Sequence, residues 1–141
     1  MNYPQTHIDF EDALSDGRLI EADEEFAYAA GFRLPVAYSR ACYQQFVEWP
    51  QTGKAGQDEK GRAWDVLSLA ALFLHQSSNE FGIARFPIYC VPPGGNTPAQ
   101  SVLQVAFLGD SAEDEPCVVV MLASESCAGI YEKRRSAMTE I

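Results

Sequence analysis

The stretch GRAWDVLSLAALFL, residues 61 to 74, constrains the fold of this chain more than any other. Trp64, Leu67, Ala71 and Leu74 recur at helical spacing, and only Arg62, Asp65 and Ser68 interrupt the apolar surface. The pattern predicts a central helix from Arg62 to about Gln76, buried on most sides, with Trp64 in the core. Such a helix needs an apolar partner layer, and the second half of the chain supplies one. Phe86, Ile88 and Cys90 alternate, as do Leu103, Val105 and Phe107, and then Val118, Val120 and Leu122, which predicts three strands with one apolar face. The connections VPPGGNTPAQ and GDSAEDEP are turn-rich and short enough for antiparallel neighbours. Pro87 lacks an amide donor, so its strand belongs at an edge or carries a bulge.

Upstream, Arg18 to Ala22 follows a glycine turn and reads as a short strand. Asp23 is placed to cap a helix from Glu24 to Ala30, with Glu24 and Glu25 in the first turn where negative charge suits the dipole. Gly31 is expected in the left-handed position after that helix, and Phe32 in the hydrophobic contact that follows such a cap. Pro35 to Tyr38 reads as extended, and Ser39 as the cap of a second helix running to about Glu48, with Cys42, Tyr43, Phe46 and Val47 as its apolar stripe. Trp49 and Pro50 close it, and the polar, Gly-rich residues 51 to 61 read as a surface loop. Residues 1 to 15 read as a loosely ordered acidic arm and residues 128 to 141 as a flexible tail of one domain spanning 1 to 141. The expected class is α+β: an antiparallel sheet of three or more strands packed against a central buried helix and two shorter helices.

With 47% hydrophobic residues the chain can bury a core without a metal or disulfide staple. Its formal charge is −10, and the excess is uneven. Asp9, Glu11, Asp12, Asp16, Glu21, Asp23, Glu24 and Glu25 crowd residues 1 to 25, where Arg18 is the only base. Asp110, Glu113, Asp114 and Glu115 lie between the last two expected strands and extend the negative face. Such a field repels phosphate backbones and attracts a protein with a basic surface, so direct nucleic-acid binding is not expected. The EKRR run, residues 132 to 135, is too short to reverse that conclusion. The amino terminus has neither a basic start nor an apolar run, and the longest apolar run, Leu69 to Leu74, falls far below the ~20 residues of a membrane-spanning helix. A cytoplasmic protein without a membrane segment is expected.

No catalytic, cofactor-binding or metal-ligating constellation emerges. Cys42, Cys90, Cys117 and Cys127 form no CxxC pair, and the first three sit in apolar contexts suited to reduced structural thiols. His7 and His75 fall in unrelated segments, and His75, near the carboxyl end of the central helix, suits that helix's dipole. Gly94 and Gly95 lack a phosphate-loop pattern, and GDSAEDEP lacks the ligand order of a calcium loop. Ser124, Ser126 and Cys127, beside Glu125, lack a nucleophile elbow. The polar stripe of Arg62, Asp65 and Ser68 is the residual candidate. Arg62 and Asp65 stand one turn apart and can pair, and a covering loop from Gln57 to Gly61 would make each charge depend on the other.

From about Gly17 to Leu122 the order of GRLIEA, AGFRLPVAYSRA, the Trp49–Pro50 pair, Gln57–Asp58, GRAWDVLSLAA and PCVVVML resembles an uncharacterised family of small bacterial proteins carried on plasmids and other mobile elements. That resemblance implies a context and no catalytic residues. The expected function is a non-catalytic accessory protein that binds another protein, in its sharpest form an acidic inhibitor of host defence such as an anti-restriction or anti-CRISPR factor. One rival is a small enzyme or small-molecule binder with a pocket beside Arg62 and Asp65, drawing on His75, Tyr43 or Cys42. An antitoxin-like or regulatory partner is the other.

Overall fold

The computed structural model describes residues 6–49, 58–76, 82–92, 95, 97–108 and 116–125, with the side chains of residues 6–10 excepted. Helix α1 (Thr6–Ser15) leads to strand β1 (Leu19–Glu21), helix α2 (Glu24–Ala30) and strand β2 (Val36–Ser39). Helix α3 (Arg40–Cys42) continues as a π-helical segment (Tyr43–Val47), and helix α4 (Glu59–Gln76) precedes strands β3 (Ile83–Cys90), β4 (Ala99–Leu108) and β5 (Cys117–Leu122). The class is α+β, with a mostly antiparallel five-stranded sheet in the order β1-β2-β5-β4-β3.

Strands β3, β4 and β5 form the expected meander. Strand β3 is an edge, and its register is set by an apolar period that keeps Phe86 and Ile88 inside. The Phe107 amide donates to the Gly82 carbonyl across the start of this pair, so even-numbered residues of β3 carry the ladder bonds. Pro87, opposite Val102, therefore stands where no amide is needed. Among the described residues the one parallel pairing, β2 with β5, joins the meander to the antiparallel β1–β2 pair.

Helix α4 covers one face of the sheet. Val66, Leu67, Ala70 and Ala71 pack with Phe86, Leu103, Val105 and Val120 of the expected alternation and with Val36 and Tyr38 of β2, whereas Phe107, expected on the same face, is 36% exposed. The helix begins three residues earlier than the pattern suggests, because the Asp58 carboxylate accepts from the Gly61 amide at 2.6 Å and caps the first turn. Trp64 is a correction to the expected core. It is 40% exposed and meets Phe26 edge-on at 6.2 Å, on the flank of α4 that faces α2. Leu72 is exposed as well, so α4 is a cover with a wet outer side.

The opposite face carries a second apolar layer. Residues 6–15 form α1, in which Ala13 is fully buried and Leu14 packs beside it against Leu19, Ala37, Ala106, Val119 and Met121. Without them, a sheet face rich in β-branched and small apolar residues would meet water. The expected tail, 128 to 141, lies outside the described residues.

Candidate functional site

Arg62 is only 3% exposed, although it belongs to the polar stripe of α4. Its Nε donates to the Val47 carbonyl at 3.3 Å, its Nη1 to Val91 at 2.7 Å and its Nη2 to Gln45 at 2.9 Å. The guanidinium also lies 4.8 Å from the centroid of the Trp49 ring. Gln45 and Val47 sit at the end of the π-helical segment, where the last carbonyls lack partners within the helix. Arg62 thus caps that segment from another helix, and its charge suits the negative end of the dipole. Burial lowers the Arg62 pKa, while Cys90, Asp65 and Glu59 oppose that fall.

The stripe does not act as one unit. Asp65 is exposed, and Ser68 bonds back to the Asp65 carbonyl of its own helix. Glu59 to Gly61 belong to the first turn of α4, so they do not form the expected cover; residues 50 to 57 lie outside the described residues. Arg62 and Asp65 do line a cavity of about 170 Å³ with Cys90, Tyr89, Phe46 and Val91. That volume is below the ~300 Å³ at which pockets for drug-sized ligands begin. Burial pushes the Cys90 thiol up, Arg62 opposes the shift and Asp65 adds to it, so the thiol is not an activated nucleophile.

The other side chains considered for that pocket lie elsewhere. Cys42 is fully buried, its amide donates to Ser39 Oγ, and burial, with Glu125 and Cys90 adding, raises its thiol pKa. Tyr43 turns to Glu59 Oε1 at 3.4 Å. His75 is thirteen residues from Arg62 along one helix, about 20 Å by helical rise. There its Nδ1 bonds the Ala71 carbonyl at 2.8 Å. Glu125, beside the serine pair read as a weak nucleophile candidate, holds the fold together: Ser39 Oγ donates to Oε1 at 2.6 Å and the Leu122 amide to the same oxygen at 2.8 Å. The 3.1 Å bond from the Cys42 amide to Ser39 Oγ completes a link between the start of α3 and the end of β5.

The acidic candidates divide by whether the fold engages them. Asp16 pairs with Arg18 Nε at 2.9 Å, and Asp23 accepts from the Phe26 amide at 3.0 Å as the cap of α2. Asp12 is half-buried, Glu11 is exposed and Asp9 lies within α1. Asp110, Glu113, Asp114, Glu115, Ser126 and Cys127 are outside the described residues. Glu21, Glu24 and Glu25 are exposed and gather around an open cleft of about 610 Å³ between α2 and the β1–β2 edge.

The cleft walls are largely apolar and include Ala27, Phe32, Leu34 and Val36. Tyr28 on the rim is 63% exposed, and the Arg33 guanidinium lies 3.9 Å from its ring centroid. Arg33 Nη1 donates to the Tyr28 and Phe32 carbonyls at 3.1 and 3.0 Å, which pins it against the wall. Gly31, at φ 117°, reverses the chain between Tyr28 and Arg33 and makes their stacking possible. Tyr28, Arg33 and the cleft were not read from the sequence. The signal was present in the Gly31 cap, which places residues on either side of it within reach.

No protein family, curated protein or solved structure matches the chain. Among the described residues no group of three or more His, Cys, Asp or Glu side chains has the geometry to hold a metal ion. No helix among them is long and apolar enough to cross a membrane.

Proposed function

We propose that this is a non-catalytic accessory protein that acts by binding a protein with a basic surface. One observation carries the reading: Glu21, Glu24 and Glu25 surround an open cleft, while Ser39, Arg62 and Glu125 hold the fold together in the interior. The formal charge of −10 supplies the long-range attraction, and the same sign disfavours nucleic acid as the direct partner. The sharpest form is a mobile-element product that inhibits host defence by occupying the basic nucleic-acid groove of a restriction or CRISPR protein. The free thiols of Cys42 and Cys90 suit a reducing cytoplasm as its place of action.

Affinity capture from host lysate at low and at high salt tests this reading. The expected result is one dedicated partner retained at low ionic strength and released as salt screens the attraction. A partner held equally at both overturns the acidic mechanism.

A further inference from the structure

The cleft at α2 has two chemically different parts, and their combination specifies an occupant. Its walls offer apolar surface at Ala27, Phe32, Leu34 and Val36, while Glu21, Glu24 and Glu25 stand at its margin. None of these three carboxylates is engaged by a hydrogen bond or ion pair among the described residues, in contrast to Asp16, Asp23, Asp58 and Glu125. Arg33 is the one base of the lining and is held against Tyr28, so three carboxylates face one engaged guanidinium and the cleft keeps a negative balance. The acids do not converge as a metal site would require. Three carboxylates that line one cleft without that convergence suit separated cations on one molecule better than a single ion.

Lys and Arg side chains match this arrangement, because their methylene stems lie on apolar surface while their heads reach charge or water. We propose that the cleft between α2 and the β1–β2 edge receives an extended Lys/Arg-bearing segment of a partner protein, its stems on the apolar walls and its heads at Glu21, Glu24 and Glu25. The inference rests on the protein-binding reading above and names the segment of the partner that is recognised. Charge complementarity selects the sign of the occupant, and the exposed Tyr28 ring supplies a rigid contact of the kind enriched at interfaces.

The test uses the full chain and a fluorescent peptide of alternating Arg and Leu residues, read by anisotropy at low salt, with spermine as a competing small polycation. The pair Glu24→Gln and Glu25→Gln should weaken peptide binding by about tenfold or more, and Tyr28→Ala by a comparable factor. The remote pair Glu11→Gln and Asp65→Asn removes the same charge and should change affinity by less than about twofold. Circular dichroism confirms that each variant is folded. Equal losses from the remote and cleft pairs overturn the cleft while leaving an acidic protein-binding surface intact. No effect of Tyr28→Ala overturns the seating of stems in the groove. Spermine that matches the peptide in affinity, with the same dependence on Glu24 and Glu25, overturns a peptide occupant in favour of a small cation. Failure of the broader reading looks different: no salt-sensitive partner is captured and neither polycation binds.

Discussion

Arg62 ties together three segments that are distant in sequence, through the carbonyls of Gln45, Val47 and Val91. Replacing it by Ala removes the donors and leaves those carbonyls without a partner, so Arg62→Ala should lower the unfolding free energy by about 2–4 kcal/mol. Arg62→Lys keeps the charge but not the planar fork, and should recover only part of the loss in urea denaturation. Cys42 and Tyr38 make a second residue-scale argument, since burial is the leading cause that raises both pKa values. The folded chain then holds these protons to higher pH than the unfolded chain, whose thiols and phenols ionise near about 8.5 and 10. The stability these two groups contribute is fully present below about pH 8.5 and declines as pH rises beyond it. Urea midpoints should fall across that alkaline range, and Cys42→Ala should make the decline shallower despite lowering stability at neutral pH; a flat profile for the unmodified chain contradicts the assignment.

At the scale of single elements, α2 was the most legible part of the chain. Its Asp23 cap, acidic first turn and left-handed Gly31 appear in the structure at the expected residues, because capping is chemistry between near neighbours. Asp23→Ala should cost about 1 kcal/mol by loss of the bond to the Phe26 amide. Gly31→Ala should cost a similar ~1 kcal/mol from backbone strain alone, since an added Cβ would meet nothing closer than His75 Cε1 at 3.8 Å. Thermal melts of the two variants check both values. The π-helical segment was not legible in the same way. Its signature is the Glu48 amide reaching the Tyr43 carbonyl at 2.8 Å, and the apolar stripe at Cys42, Tyr43, Phe46 and Val47 suits an ordinary helix equally well. The pairing of its end with Arg62 depends on the position of α4, which local sequence does not encode.

On the scale of the whole molecule, two apolar layers flank the sheet, and only one was visible beforehand. Removal of residues 1 to 15 would be harmless if they were a loose arm. With Ala13 and Leu14 packed on the sheet, the truncation should cost about 2–3 kcal/mol and raise the binding of a hydrophobic dye, both measurable on the purified protein. The meander, the position of Pro87 on an edge strand and the covering helix follow from periodicity and from the missing amide of proline, which are local properties of the chain. The pairing of β2 with β5, the side of α4 that stays wet and the acids that gather at one cleft depend on long-range packing. A carboxylate in a helical first turn has the same sequence signature whether it faces open water or a groove. For Glu21, Glu24 and Glu25 that distinction arises when β1, α2 and β2 fold around Phe32 and Val36. For Arg62 it arises when α4 docks against the end of the π-helical segment, turning a residue of a polar stripe into a buried clasp.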